Sequence, residues 1–299
     1  MAAHSTPKWF RSLICPGYVF IMPAIIITAG LILYPLLNGL IVSLHQWNWV
    51  SSGMNYMPFI GARNYVRLVH DPYFWNSLRH TFYFALGALV IEFGLGMLGA
   101  RLLNAGLRGA LLFRTALMFP LMVSDIVAAV AWKMLLNPSM GPINTILAGL
   151  HLGKPNWLGN PALVVPALSI VDAWWQTGNL TLILLAGLQT IPREPMEMAK
   201  VDGANSIQLF RHLVWPHLIP FAKTAVAFRV IDLLRVFALP WGITGGGPGR
   251  ASEMAQLYIY AQGMGRYLDI GYSTSLAITF AIIVGVSVLV LFGRPHGEG

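Results

Sequence analysis

Apolar residues in this chain gather in long runs, without the three-to-four-residue alternation of a helix half sunk in a soluble core. Crossing about 30 Å of hydrocarbon takes roughly 20 mostly apolar residues. Six stretches are long enough: roughly 19–44, 81–103, 113–132, 162–188, 222–239 and 272–292. Asn137 and Pro138 follow the third, Ile191-Pro192 closes the fourth and Pro240 ends the fifth. Pro120 and Pro166 lie inside runs; there they kink a membrane helix without abolishing it, because neighbouring helices satisfy the freed carbonyls. The pattern predicts an all-α integral membrane protein of about six transmembrane helices. One membrane domain, 19–293, is expected between an N-terminal tail (1–18) and a C-terminal tail (294–299). The first run is longer than the 7–15 residues of a signal-peptide core, and no small-residue cleavage site follows it, so it reads as a retained helix.

Composition strengthens this reading. Of the 299 residues 56% are hydrophobic and only 10% charged, against about 25% charged in a soluble domain. The net charge of +8 comes from bases scattered at the ends of apolar runs. No clustered stripe tracks phosphates, so nucleic acid is not an expected partner; membrane lipid is. The compact second connection, near 104–112, has Arg101, Arg108 and Arg114 at or beside it and no acid. Basic residues beside short loops favour the inner face, so both termini are expected in the cytoplasm. The connections near 45–80, 133–161 and 241–271 then face outward, and 191–221 faces inward. Cys15 is the sole cysteine and no H-E-x-x-H occurs, so neither a disulfide nor a metal site is expected, and no cofactor.

Two glycine patterns carry no nucleotide chemistry. Gly94, Gly96 and Gly99 spell G-x-G-x-x-G, but inside an apolar run, where close helix packing explains them better than a dinucleotide site. Gly245 to Gly249 lack the Lys-Ser/Thr of a phosphate-binding loop, and no G-x-x-x-x-G-K-[ST] occurs anywhere. Energy from nucleotide would therefore have to arrive through a partner.

The inward connection, about 191–221, is the most informative segment. Pro195 suits a first helical turn, and Glu194 and Glu197 complement the positive end of the helix dipole. Gly203 permits the left-handed conformation that ends a helix. Asn205 or Ser206 can cap a second short helix carrying Ile207, Phe210 and Val214 at helical spacing, and Pro216 is expected to stop it. The prediction is a helix–turn–helix elbow lying on the cytoplasmic surface of the membrane. An ordinary interfacial connector would look similar.

This segment resembles the EAA loop of ABC-importer permeases. The match falls on Glu197, Ala199, Asp202, Gly203, Ala204, Leu213 and Pro216, with Met198 where the family usually has alanine and Trp215 where an aliphatic residue precedes the proline. The stretches Phe59–Tyr65 and Asp71–Trp75, then Asn137–Asn144 and Thr244–Pro248, are similar to sugar permeases of the maltose-transporter F-subunit type. The likeness runs from about Val19 onward. It implies the type I ABC importer permease (MetI-like) fold in a bacterial inner membrane. It also implies a division of labour: an external solute-binding protein delivers solute, a second permease subunit completes the pathway, and two ATPase subunits supply power through the elbow. The chain itself would be a transport subunit and not an enzyme.

Polar residues inside the runs mark the expected pathway. A charge at the bilayer centre costs at least about 2.5–3.5 kcal/mol, so it faces protein or a watery cavity. Arg229, Asp232 and Arg235 recur at three-residue spacing in the fifth run, and either a solute-facing wall or a structural ion pair fits them. Asp172, Trp174, Trp175, Gln176 and Asn179 form a polar and aromatic set in the fourth, suited to stacking and hydrogen bonding with a sugar. Glu92 and Asp125 read as lone intramembrane acids. The sequence thus points to ATP-coupled alternating access for a sugar, polyol or related solute. An ion-gradient-driven carrier using Glu92, Asp125 or Asp232 is the alternative, although no inverted repeat is visible. A membrane-embedded enzyme lacks the clustered side chains it would need.

Overall fold

The structure, a computed structural model, describes residues 16–52, 57–106 and 108–293. Most of the expected N-terminal tail and the whole C-terminal tail lie outside the described residues. The chain is helical, and among the described residues it forms isolated bridges, His45 with Phe59 and Asn48 with Asp269, but no strand. In chain order the helices are α1 (Pro16–Ser43), α2 (Arg63–Val69), α3 (Pro72–Asn104), α4 (Ala110–Met118), α5 (Asp125–Leu135), α6 (Pro142–Gly149) and α7 (Val164–Gln189). There follow α8 (Arg193–Val201), α9 (Ser206–Leu209), α10 (Trp215–Leu234), α11 (Ala238–Thr244), α12 (Ala255–Tyr260) and α13 (Ile270–Phe292), with a single turn at Trp49–Ser52 before α2.

Each of the six predicted runs contains a helix, with three differences of outline. Helices α1, α3 and α13 are long and apolar enough to cross a membrane; a fourth candidate is broken, with Ala110–Met122 meeting Asp125–Leu135 at 101°. The predicted straight third span is therefore bent. Val123, extended at ψ 133°, separates the halves, and Pro120 in the preceding tight turn denies that turn a backbone donor. Helices α7 and α10 have spanning length, 26 and 20 residues, but Asp172, Gln176 and Asn179 in one and Lys223, Arg229 and Asp232 in the other dilute their apolar character. These polar residues hide the two helices from a hydropathy test.

The second span begins nine residues before its apolar run. Asp71 caps α3 by accepting from the amides of Tyr73 and Phe74, and Pro72 occupies the first helical position, the arrangement that starts a helix efficiently. The fifth span ends early, at Leu234, with Arg235 as its cap; α11 then begins at Ala238.

The chain divides into two compact units. The first comprises the described residues up to His70 together with Ala261–Ile278. Within it, Asn64 Nδ2 donates to the carbonyls of Ser43 and His45, and Arg67 pairs with Asp269 at 2.7 Å while lying over the Tyr272 ring. Two connections expected on one side of the membrane thus meet.

The second unit comprises Asp71–Tyr260 and the chain from Thr279. Its core sits between α3, α7 and α10, with Phe84, Leu168, Val171, Leu233 and Leu234 buried. Small residues allow the close approach: a methyl carbon on Gly96 would lie 3.0 Å from Leu180 Cβ, and one on Gly187 would lie 2.7 Å from Leu218 and Phe221. Glycine packing of this kind brings membrane helices together where lipid offers no hydrophobic drive. Gly96 and Gly99, which would press on Thr181, account for two glycines of the G-x-G-x-x-G pattern.

Candidate functional site

Pro192, in extended backbone, precedes α8, and Gly203, at φ +86°, reverses the chain after it. Glycine takes this left-handed conformation without the Cβ clash that other residues suffer. Asn205 then opens α9 with a full capping box. Its side chain accepts from the amides of Ile207 and Gln208, and the Gln208 side chain accepts from the Asn205 amide at 2.8 Å. The predicted elbow is present, with the cap on Asn205.

Two details correct the expectation. Pro216 does not stop the second arm. Phe210–Val214 form a wide π turn, and Pro216 sits in the first turn of α10, so helix runs unbroken from Ser206 to Leu234. The wider turn accommodates a proline that lacks an amide donor. Nor do Ile207 and Phe210 share one exposed face. Phe210 is half-buried beside Trp215, with Arg101 of α3 over its ring at 5.0 Å, whereas Met198, Val201 and Ile207 stand exposed. Phe210 therefore ties the elbow to the bundle. A cleft of about 420 Å³ lies between the arms, lined by Met198, Asp202, Gln208 and Leu213 among others. Glu197, Asp202 and Gly203 are exposed, while Ala199, Ala204 and Leu213 are half-buried.

Deeper in the bundle, Arg229 of α10 is buried between two acids. Its Nε and Nη2 donate to the carboxylate of Glu92 (α3) at 2.6 and 2.9 Å, and Nη2 also pairs with Asp172 of α7. All three side chains are buried. Glu92 is thus not a lone acid, and Arg229 does not pair with Asp232. The cluster joins α3, α7 and α10 at one level, as a bidentate guanidinium is shaped to do. Sequence spacing missed this partnership; the signal was that three charges in three apolar runs need one another.

The remaining candidates scatter. Trp175 is half-buried and its indole donates to the Val123 carbonyl at the break before α5. Gln176 is half-buried; Trp174 and Asn179 are exposed. Asp232 and Arg235 are exposed, and neither joins an ion pair among the described residues. Asp125 lies at the start of α5 and accepts from the Ile126 amide, with Ser124 beside it. Also unforeseen was a clasp around the glycine-rich connection. Tyr258 donates to Asp71, the cap of α3, and Arg250 pairs with Glu253 while lying over the Tyr73 ring at 4.1 Å.

The capped elbow thus runs without a break into α10, the helix that carries the buried Arg229. Residues 92–294 match the family described as binding-protein-dependent transport system inner membrane components. The chain belongs to this family. The permease is 35% identical over 265 residues to the probable ABC transporter permease protein y4oQ of Sinorhizobium fredii, covering 89% of this chain and 85% of that one. It is 34% identical over 276 residues to the trehalose/maltose transport system permease protein MalF of Thermococcus litoralis, covering 92% of each. Its fold is similar to that of a bacterial ABC transporter involved in the import of the acidic polysaccharide alginate, with a TM-score of 0.80 at 21% identity over 95% of this chain and 97% of that one. The permease is a multi-pass membrane component of a binding-protein-dependent importer, a transport subunit and not an enzyme.

Proposed function

We propose that the permease carries a sugar, polyol or related solute by ATP-coupled alternating access, as half of a pathway completed by a second permease subunit. Two ATPase subunits supply the power, an external solute-binding protein supplies the solute, and both termini of the chain lie in the cytoplasm. The solute class rests on the Thermococcus litoralis relative, whose name specifies trehalose and maltose. The observation that carries the mechanism is the uninterrupted helix from Ser206 to Leu234. A push on Ile207 travels along that helix to Arg229, and from there through Glu92 and Asp172 into α3 and α7. Rigid elements of this kind turn a local displacement into a domain movement.

In this reading Glu197, Ala199, Asp202, Gly203, Ala204, Leu213 and Pro216 shape the elbow that an ATPase groove receives. Asp232 and Arg235 line the pathway with Gln176 and Asn179, while Asp172, Trp175 and Arg229 hold its walls in register. Reconstitution tests the proposal. The complete importer in proteoliposomes accumulates a labelled sugar when ATP and the binding protein are supplied, and the permease alone does not. Accumulation driven by an ion gradient without ATP would overturn the reading in favour of a secondary carrier.

A further inference from the structure

Helix α3 ends beside the elbow. Arg101 and Asn104 lie in its last turn, and Lys200 lies in the last turn of α8. Residues of these helices and of α9 line a cleft of about 290 Å³, with Arg101, Asn104, Lys200 and Ser206 polar and Leu188 and Phe210 among the apolar ones. A second cleft, of about 440 Å³, shares Asn104, Leu188 and Lys200 with the first and adds Gln189 and Glu197. The Arg101 guanidinium is held over the Phe210 ring at 5.0 Å, and Phe210 packs beside Trp215 with ring centroids 6.1 Å apart. Neither Arg101 nor Lys200 joins an ion pair among the described residues.

A cation in the last turn of a helix complements the helix dipole, which explains either base on an open surface. It does not explain two of them on one cleft whose described lining includes no acid. Such a cleft selects an anion, and its apolar lining favours an amphiphile over a soluble ion. Basic pockets between membrane helices on the cytoplasmic side take up anionic headgroups, and the inward placement of the elbow proposed above puts this one at the inner leaflet. Charge narrows the choice. Together the two clefts present two cations and one acid, Glu197, which leaves one positive charge. Phosphatidylglycerol supplies one negative charge, and its glycerol hydroxyls can donate to a carboxylate. A zwitterionic headgroup leaves the extra charge unmatched.

We infer that the cleft between the end of α3 and the elbow binds the headgroup of an anionic phospholipid of the phosphatidylglycerol kind, with Arg101 and Lys200 on its phosphate and Glu197 and Asn104 on its hydroxyls. A lipid held there bridges α3 and α8 and steadies the elbow against the bundle. The inference rests on the inward placement of the elbow and adds a ligand to it.

Native mass spectrometry of the whole importer in detergent, titrated with phosphatidylglycerol, tests it. The expected result is saturable binding at least about tenfold tighter than that of phosphatidylethanolamine, weakened at least about tenfold by Arg101→Gln combined with Lys200→Gln. Lys200→Gln alone, on an exposed side chain that leaves the Arg101–Phe210 contact in place, should weaken it about threefold or more. Arg108→Gln, which removes an equal charge outside both clefts, should change it less than about twofold. Equal binding of the two lipids would overturn the inference, as would binding untouched by the cleft variants. An equal loss in Arg108→Gln would assign the effect to diffuse surface charge and overturn it too. Displacement by soluble glycerol phosphate would reassign the cleft to a free phosphate, and binding that appears only once the ATPase subunits are removed would reassign it to them. The placement of the elbow is checked apart from the lipid: with Cys15→Ser, Ile207→Cys should react with an impermeant maleimide only in inside-out vesicles. Reaction in right-side-out vesicles would overturn that placement and the leaflet together, whatever the lipid titration shows.

Discussion

Arg229 donates from Nε and Nη2 to the carboxylate oxygens of Glu92, at 2.6 and 2.9 Å, across 137 residues of sequence. The same guanidinium reaches Asp172, so one side chain pins three helices inside the membrane domain. The elbow lies between two of those helices, α7 and α10. Continuous helix from Ser206 to Leu234 therefore links the elbow to the ion cluster.

Replacing Arg229 with methionine leaves Glu92 and Asp172 buried without their cation. Removing one partner of a buried pair costs about 3–5 kcal/mol. The expected outcome is a marked fall in the thermal midpoint of the purified importer, with Arg229→Lys between the two because lysine lacks the fork. An unchanged midpoint would show that the cluster does not clamp the helices.

Gly203→Val should insert into the membrane at normal levels and fail in uptake. A β-branched residue at φ +86° is strained by about 1–2 kcal/mol, and relief of that strain re-aims the elbow. Nothing lies within 4 Å of the missing Cβ, so the defect is conformational and not a clash. Gly203→Asn, which tolerates the left-handed region, should keep most of the activity. Immunoblots of the membrane fraction alongside uptake assays check both variants.

Asn205→Ala removes the cap and half of the capping box. The loss is about 1 kcal/mol of local stability, read as faster hydrogen exchange at the amides of Ile207 and Gln208. Exchange at an unchanged rate would mean that the cap does not hold α9.

At Gly187 an added methyl carbon would meet Leu218 and Phe221 at 2.7 Å. Gly187→Leu should therefore push α7 away from α10 and destabilise the permease by about 1–3 kcal/mol. Gly94, with open space around it, should accept alanine without effect. Thermal melts of the two variants test the contrast.

The sequence made the helices legible wherever apolar length alone decides, as in α1 and α13. It made the elbow legible because Gly203 and Asn205 are local signals whose geometry depends on their own neighbours. The bend before α5 was not legible: an apolar run has no way to register that Val123 is extended or that the Trp175 indole meets its carbonyl. Pro216 misled for a related reason: the π turn at Phe210–Val214 carries the helix past it. The charge cluster lay in plain view as three intramembrane charges, but pairing across 57 and 137 residues is a tertiary fact. Asp232 looked like the partner of Arg229 because it is close in sequence, yet the guanidinium bonds to Glu92 and Asp172 instead.

Crosslinking at Ile207 addresses the coupling mechanism most directly. In a Cys15→Ser chain, Ile207→Cys in the assembled importer should form a bismaleimide crosslink to an ATPase subunit, reached only from the cytoplasmic side, and the crosslink should block ATP-driven uptake. Reaction of that thiol with an impermeant reagent added from outside, or full uptake after crosslinking, would contradict the account.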